Sequence, residues 1–150
     1  MGKTTHSGFT LLETLVVICI VGVLSLVVFP TYINHRETST ASQLANSFRT
    51  YASSFSNYAV ENGSLPEKLP MRIYPEGMEG KLPNFSEESM IGGYWDWNSH
   101  LDENRVEIRL VNPQAGVTLL ERIDQMLDDG DLLTGSVIGN EDHLTMIIQR

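Results

Sequence analysis

FTLLETLVVICIVGVLSLVVF, residues 9–29, is apolar almost throughout, and its reading decides the rest of the chain. Its 21 residues make a helix of roughly 32 Å at about 1.5 Å per residue, enough to cross the hydrocarbon core of a bilayer. In lipid a helix is the only single-segment structure that satisfies its own backbone. Lys3 and His6 precede the run and favour a cytoplasmic N-terminus. A secretory signal peptide fits poorly. The run exceeds the usual apolar region of roughly 7–15 residues, and Val28-Phe29-Pro30 is no small-residue cleavage site. A plain membrane anchor accounts for the length but not for Glu13.

Glu13 is the most informative residue of the run. A carboxylate in a spanning helix costs about 2.5–3.5 kcal/mol at the centre and less near the interface. Such groups usually have a partner. An amino terminus created at Phe9 would put a positive charge four positions away, in the same chain or a neighbour. A Glu that snorkels to the interface is the competing reading, and the residues alone leave both open.

Ser7-Gly8-Phe9-Thr10-Leu11-Leu12-Glu13-Thr14-Leu15 resembles the leader junction of type IV pilins and type II secretion pseudopilins. The pattern is a short leader ending in Gly, then Phe, then Glu as the fifth mature residue. Gly22 and Pro30 fall where that family commonly carries a glycine and a proline. The resemblance covers about residues 1–35. It implies that residues 1–8 are a leader cut by prepilin peptidase between Gly8 and Phe9, with the new Phe9 amine then N-methylated. It implies that Glu13 pairs with the amine of an adjacent subunit during filament assembly on an inner-membrane platform. Gly22 and Pro30 become points of helix kinking or flexibility. The chain is then expected in the bacterial inner membrane, crossing once, with its N-terminus cytoplasmic and its head periplasmic. Later it joins a periplasmic or extracellular filament.

Past residue 29 the pattern becomes one-sided. Leu44, Phe48, Tyr51, Phe55 and Tyr58 recur at helical spacing, and Asn62-Gly63 is a stop signal. The aromatic stripe reads as core, not as a ligand site. One helix from about Phe9 to Asn62 results: a transmembrane half, residues 9–29, and an amphipathic half, residues 30–62. Residues 63–90 hold four of the six prolines and read as a long loop, in this family often a subunit contact. Residues 91–97 read as an aromatic strand, with Trp95 and Trp97 on one face and Tyr94 and Asp96 on the other. Residues 101–104 supply a turn. In residues 105–111, Val106, Ile108 and Leu110 alternate with Arg105, Glu107 and Arg109. Val117, Leu120, Ile123 and Leu127 mark a short helix closed by Asp128-Asp129-Gly130. Residues 136–138 and 144–148 bracket a hairpin turn. The expected fold is α+β and pilin-like: the long helix packed on a small antiparallel sheet of three or four strands, with residues 63–150 forming the soluble head.

Composition narrows function further. The net charge is -9, and losing a leader that contains Lys3 leaves 9 basic against 19 acidic side chains, or -10. So acidic a surface repels nucleic-acid phosphates. The single cysteine, Cys19, lies in the apolar run, where it behaves as a small hydrophobe, and no intramolecular disulfide forms. The family's disulfide-closed C-terminal loop is therefore absent.

Asp128, Asp129 and Asp131, with Glu141 and Asp142 as further candidates, offer oxygen ligands of the kind calcium takes, and some major pseudopilins bind calcium in this region. The spacing is not that of an EF-hand, and a solvated helix end and turn is the preferred reading. Without calcium, no cofactor is called for. His6, His35, His100 and His143 are scattered and argue against zinc. No nucleophile elbow, P-loop or dinucleotide motif occurs, so an enzyme is disfavoured. Trp95 and Trp97 read as buried sheet aromatics in preference to a binding face. The leading expectation is a structural pseudopilin or minor pilin of a type II secretion or type IV pilus-like filament. The alternatives are a pilin-like adhesin or tip subunit and, behind it, a membrane-anchored enzyme.

Overall fold

The computed structural model describes residues 9–100 and 105–149. The element order is α1 Leu11–Asn62, β1 Tyr94–His100, β2 Arg105–Val111, α2 Val117–Leu127, β3 Val137–Asn140 and β4 His143–Gln149. The chain divides into two compact units, Met1–Glu37 and Thr38–Arg150. The arrangement is α+β and pilin-like.

In the first unit α1 is apolar and exposed along its length, and it is long and apolar enough to cross a membrane. Its few polar side chains are satisfied by the helix itself. Thr14, Ser25 and Thr31 donate to the carbonyls of Leu11, Val21 and Val27 at 2.9, 2.7 and 3.1 Å. A hydroxyl that bonds the preceding turn needs no water, so these residues fit an apolar surround. The helix runs through Gly22 and position 30 without a break.

In the second unit the expected stripe is the core. Leu44, Phe48, Tyr51 and Phe55 are buried, joined by Ala41, Ala45 and Ala59, while Tyr58 is half-buried. The alanines let the helix backbone approach its neighbours closely. Phe48 and Tyr51 meet Trp95 edge to face, 4.8 and 4.9 Å away, and Phe55 lies 5.2 Å from Trp97 in a tilted stack. The tryptophans are thus core residues, as read from sequence.

The sheet has four antiparallel strands in the order β1-β2-β4-β3. Val106, Ile108 and Leu110 point into the core, as their alternation predicts. On the opposite face Arg109 donates to Asp96 at 3.1 Å, across a directly paired position of β1 and β2.

Strand β1 departs from its expected bounds. It begins at Tyr94, three residues later than the aromatic run suggests, and extends to His100. Gly92 and Gly93 both have φ of 76°, which takes them out of the strand and into a turn. A Cβ on Gly93 would lie 2.3 Å from the Val111 carbonyl oxygen, so only glycine fits there. The hairpin strands are also longer than expected. The turn expected at residues 101–104 lies outside the described residues.

Residues 63–90 contain no helix or strand, yet they are not a passive connection. Met78, Leu82 and Phe85 are fully buried. The Tyr51 hydroxyl donates to the Pro83 carbonyl at 2.5 Å, and the Ser54 hydroxyl to that of Lys81 at 2.8 Å. The loop is therefore anchored along the buried half of α1. Helix α2 closes the core with Leu120 and Ile123, and Arg49 of α1 donates to the Met126 carbonyl near its end.

Candidate functional site

Gly8 lies outside the described residues. Phe9 is exposed, and Thr10 precedes the first turn of α1. Glu13 Oε2 accepts the Thr10 backbone N–H and the Thr10 hydroxyl, both at 2.9 Å. The Glu13 N–H in turn donates to Thr10 Oγ1 at 3.2 Å. These reciprocal bonds form a capping box, which satisfies two donors that a helix start leaves orphaned. The T-x-x-E spacing just before an apolar run is its sequence signature, and the reading of Glu13 as a charge alone passed over it. Both Thr10 donors converge on Oε2 and leave Oε1 able to take a further donor. The carboxylate is thus fixed at the entrance of the apolar helix by its own chain.

Farther along the same helix, Gly22 opens on empty space, and Cys19 is exposed.

The acidic residues gather at the other end of the fold's sequence. Carboxylate oxygens of Asp124, Asp128 and Asp129 lie within 4.8 Å of one another. Asp131 stands outside that group, and its carboxylate accepts the Leu133 N–H at 3.1 Å. Asp124, absent from the sequence-derived set, takes its place. It is fully buried, and neither carboxylate oxygen has a hydrogen-bond partner of normal geometry. Burial above all, then the charges of Asp129 and Asp128, push its carboxyl up to about 6, with the Gly130 N–H acting weakly the other way. Asp128 moves oppositely: its hydrogen bonds from the Ser136 N–H and hydroxyl hold it below the usual carboxylate range.

An apolar, exposed helix that opens on a capped glutamate and continues into an α+β unit is the arrangement of a pilin-like subunit. The prokaryotic N-terminal methylation motif matches residues 3–29, so the chain carries the prepilin-type signature of type IV pilins and pseudopilins. The matched stretch includes Gly8, Phe9, Glu13 and Gly22. No curated protein and no solved structure matches the chain.

Proposed function

We propose that the chain is a structural, non-enzymatic subunit, a pseudopilin or minor pilin, of a type II secretion or type IV pilus-like filament. Prepilin peptidase removes residues 1–8 and methylates the Phe9 amine. The subunit waits in the inner membrane, held by residues 9–29, and Glu13 receives the amine of a neighbouring subunit as it enters the filament. The observation that carries this reading is one coincidence of register. The methylation motif ends at residue 29, where the apolar run ends, and it contains the capped Glu13.

Two charges brought together in a low dielectric attract strongly, and each is costly alone. The pair therefore favours assembly and fixes the axial step between subunits. Gly22 and Pro30 supply places where the helix can yield when subunits pack, since one lacks a side chain and the other a backbone donor. The test is expression with and without prepilin peptidase. With the enzyme the chain is shortened and recovered with sheared filaments or the secretion complex. Without it, full-length protein stays in the membrane. Equal incorporation in both strains would refute the reading.

A further inference from the structure

We propose that residues 70–90 form a strap that opens and closes as one unit over the buried half of α1, with Arg72 as its latch. The device belongs to the second unit alone and does not depend on the filament reading. It starts from a backbone oddity. Arg72 has φ of 68°, in the left-handed region that a residue with a Cβ rarely enters. Asn84 and Asn112 share that region, but asparagine is enriched there and arginine is not. Such strain persists only where the surroundings hold it.

Here they hold it through the side chain. The Arg72 guanidinium lies over the Tyr94 ring of β1, 4.4 Å from its centroid. Its Nε donates to the Ser86 carbonyl at 2.8 Å. The hydroxyls of Tyr74 and Ser86 share a further hydrogen bond of 3.0 Å. One exposed side chain thereby joins the start of the strap to its far end, and both to the sheet.

The rest of the strap has no ladder to the sheet. Among the described residues, the backbone bonds within residues 70–87 all join positions three apart in the strap itself. Its backbone pairs with β1 only at the single bridge of Glu88 with Tyr94. Met78, Leu82 and Phe85 plug the core, and Tyr51 and Ser54 bond the carbonyls of Pro83 and Lys81. Lifting the strap therefore breaks side-chain contacts but no strand pairing, which is the character of a segment that opens below global unfolding. Packing is already incomplete at one end, where a cleft of 240 Å³ lies between residues 83–90 and Leu44, Tyr51 and Trp95. Gly63 and Gly92, at φ of 74° and 76°, lie on either side and can absorb the dihedral change of a hinge. Opening uncovers Tyr51 and Trp95, both now buried, so the latch sets how much apolar surface the unit shows.

Hydrogen exchange read by mass spectrometry on the full chain in detergent tests the latch. Arg72→Ala removes a cation–π contact and a charged hydrogen bond, and should speed amide exchange in residues 71–90 roughly 10–100-fold. Strands β2 and β4 should keep native rates. Arg72→Gly relieves the strained φ but also cuts the latch, so it too should exchange faster than the native chain. A residue that is merely strained predicts the opposite, since glycine would then protect the strap. Tyr94→Leu removes the ring from the other side, and combining it with Arg72→Ala should add little to either change alone. Native or slower exchange in Arg72→Gly would overturn the latch, as would fully additive effects in the double variant. Equal acceleration of the strap and of β2 and β4 would overturn the separate opening.

Discussion

Glu13 has two jobs in this account, and substitutions can separate them. As the third residue of α1 it completes a capping box, and as a carboxylate it awaits a neighbour's amine. Glu13→Gln keeps the cap, because an amide oxygen serves the same position, but removes the charge. Thr10→Ala removes the hydroxyl that bonds at 2.9 and 3.2 Å but keeps the charge. A lost cap costs about 0.5–2 kcal/mol. Opposite charges about 4 Å apart gain about 4 kcal/mol at an effective dielectric near 20. The charge therefore outweighs the cap by about 2–3.5 kcal/mol, or about 30–300-fold per junction at about 1.4 kcal/mol per decade. The assay is quantitative recovery of sheared filaments, or secretion by the complex, with leader removal checked on the same samples. All variants should be cleaved. Glu13→Gln and Glu13→Ala should fail together at assembly, while Thr10→Ala loses only a few-fold. Assembly by Glu13→Gln alongside failure of Thr10→Ala would show that the cap, not the charge, is what the filament requires.

Four further outcomes follow from the C-terminal unit and the leader. Phe55→Ala, which empties a fully buried ring site against Trp97, should cost about 3–5 kcal/mol in denaturant unfolding followed by tryptophan fluorescence. Gly93→Ala should lower the unfolding temperature by several degrees, because its φ of 76° is strained for alanine and the new Cβ overlaps the Val111 carbonyl. In cation-free buffer Asp124 binds its proton more tightly folded than unfolded, so its contribution to stability falls as pH rises from 3.8 to about 6. Asp124→Asn should remove that fall, and parallel pH profiles for the two chains would contradict it. A bulky residue in place of Gly8 should leave the leader attached, which the mass of the membrane-extracted chain reports.

The sequence was most legible where a period ran long. The stripe from Leu44 to Phe55 and the alternation of Val106, Ile108 and Leu110 each follow one geometric rule, and the structure buries all of them. Strand β1 was misplaced because aromatic content favours a strand, whereas paired positive φ values at Gly92 and Gly93 are a backbone property. The contribution of Met78, Leu82 and Phe85 to the core was hidden because the loop holding them has no period. Two signals were present and unread. Thr10-x-x-Glu13 is a capping box by spacing alone. Asp124 sits four residues after Leu120, on the same face as Ile123 and Leu127, and a carboxylate on an apolar stripe signals a buried charge.

The mature amino terminus tests the central claim most directly. The chain extracted from membranes that contain prepilin peptidase should have the intact mass of residues 9–150 plus one methyl group, with fragmentation placing that methyl on the Phe9 amine. A chain that retains Met1 to Gly8, is cut at another position, or begins with an unmodified Phe9 would contradict the account.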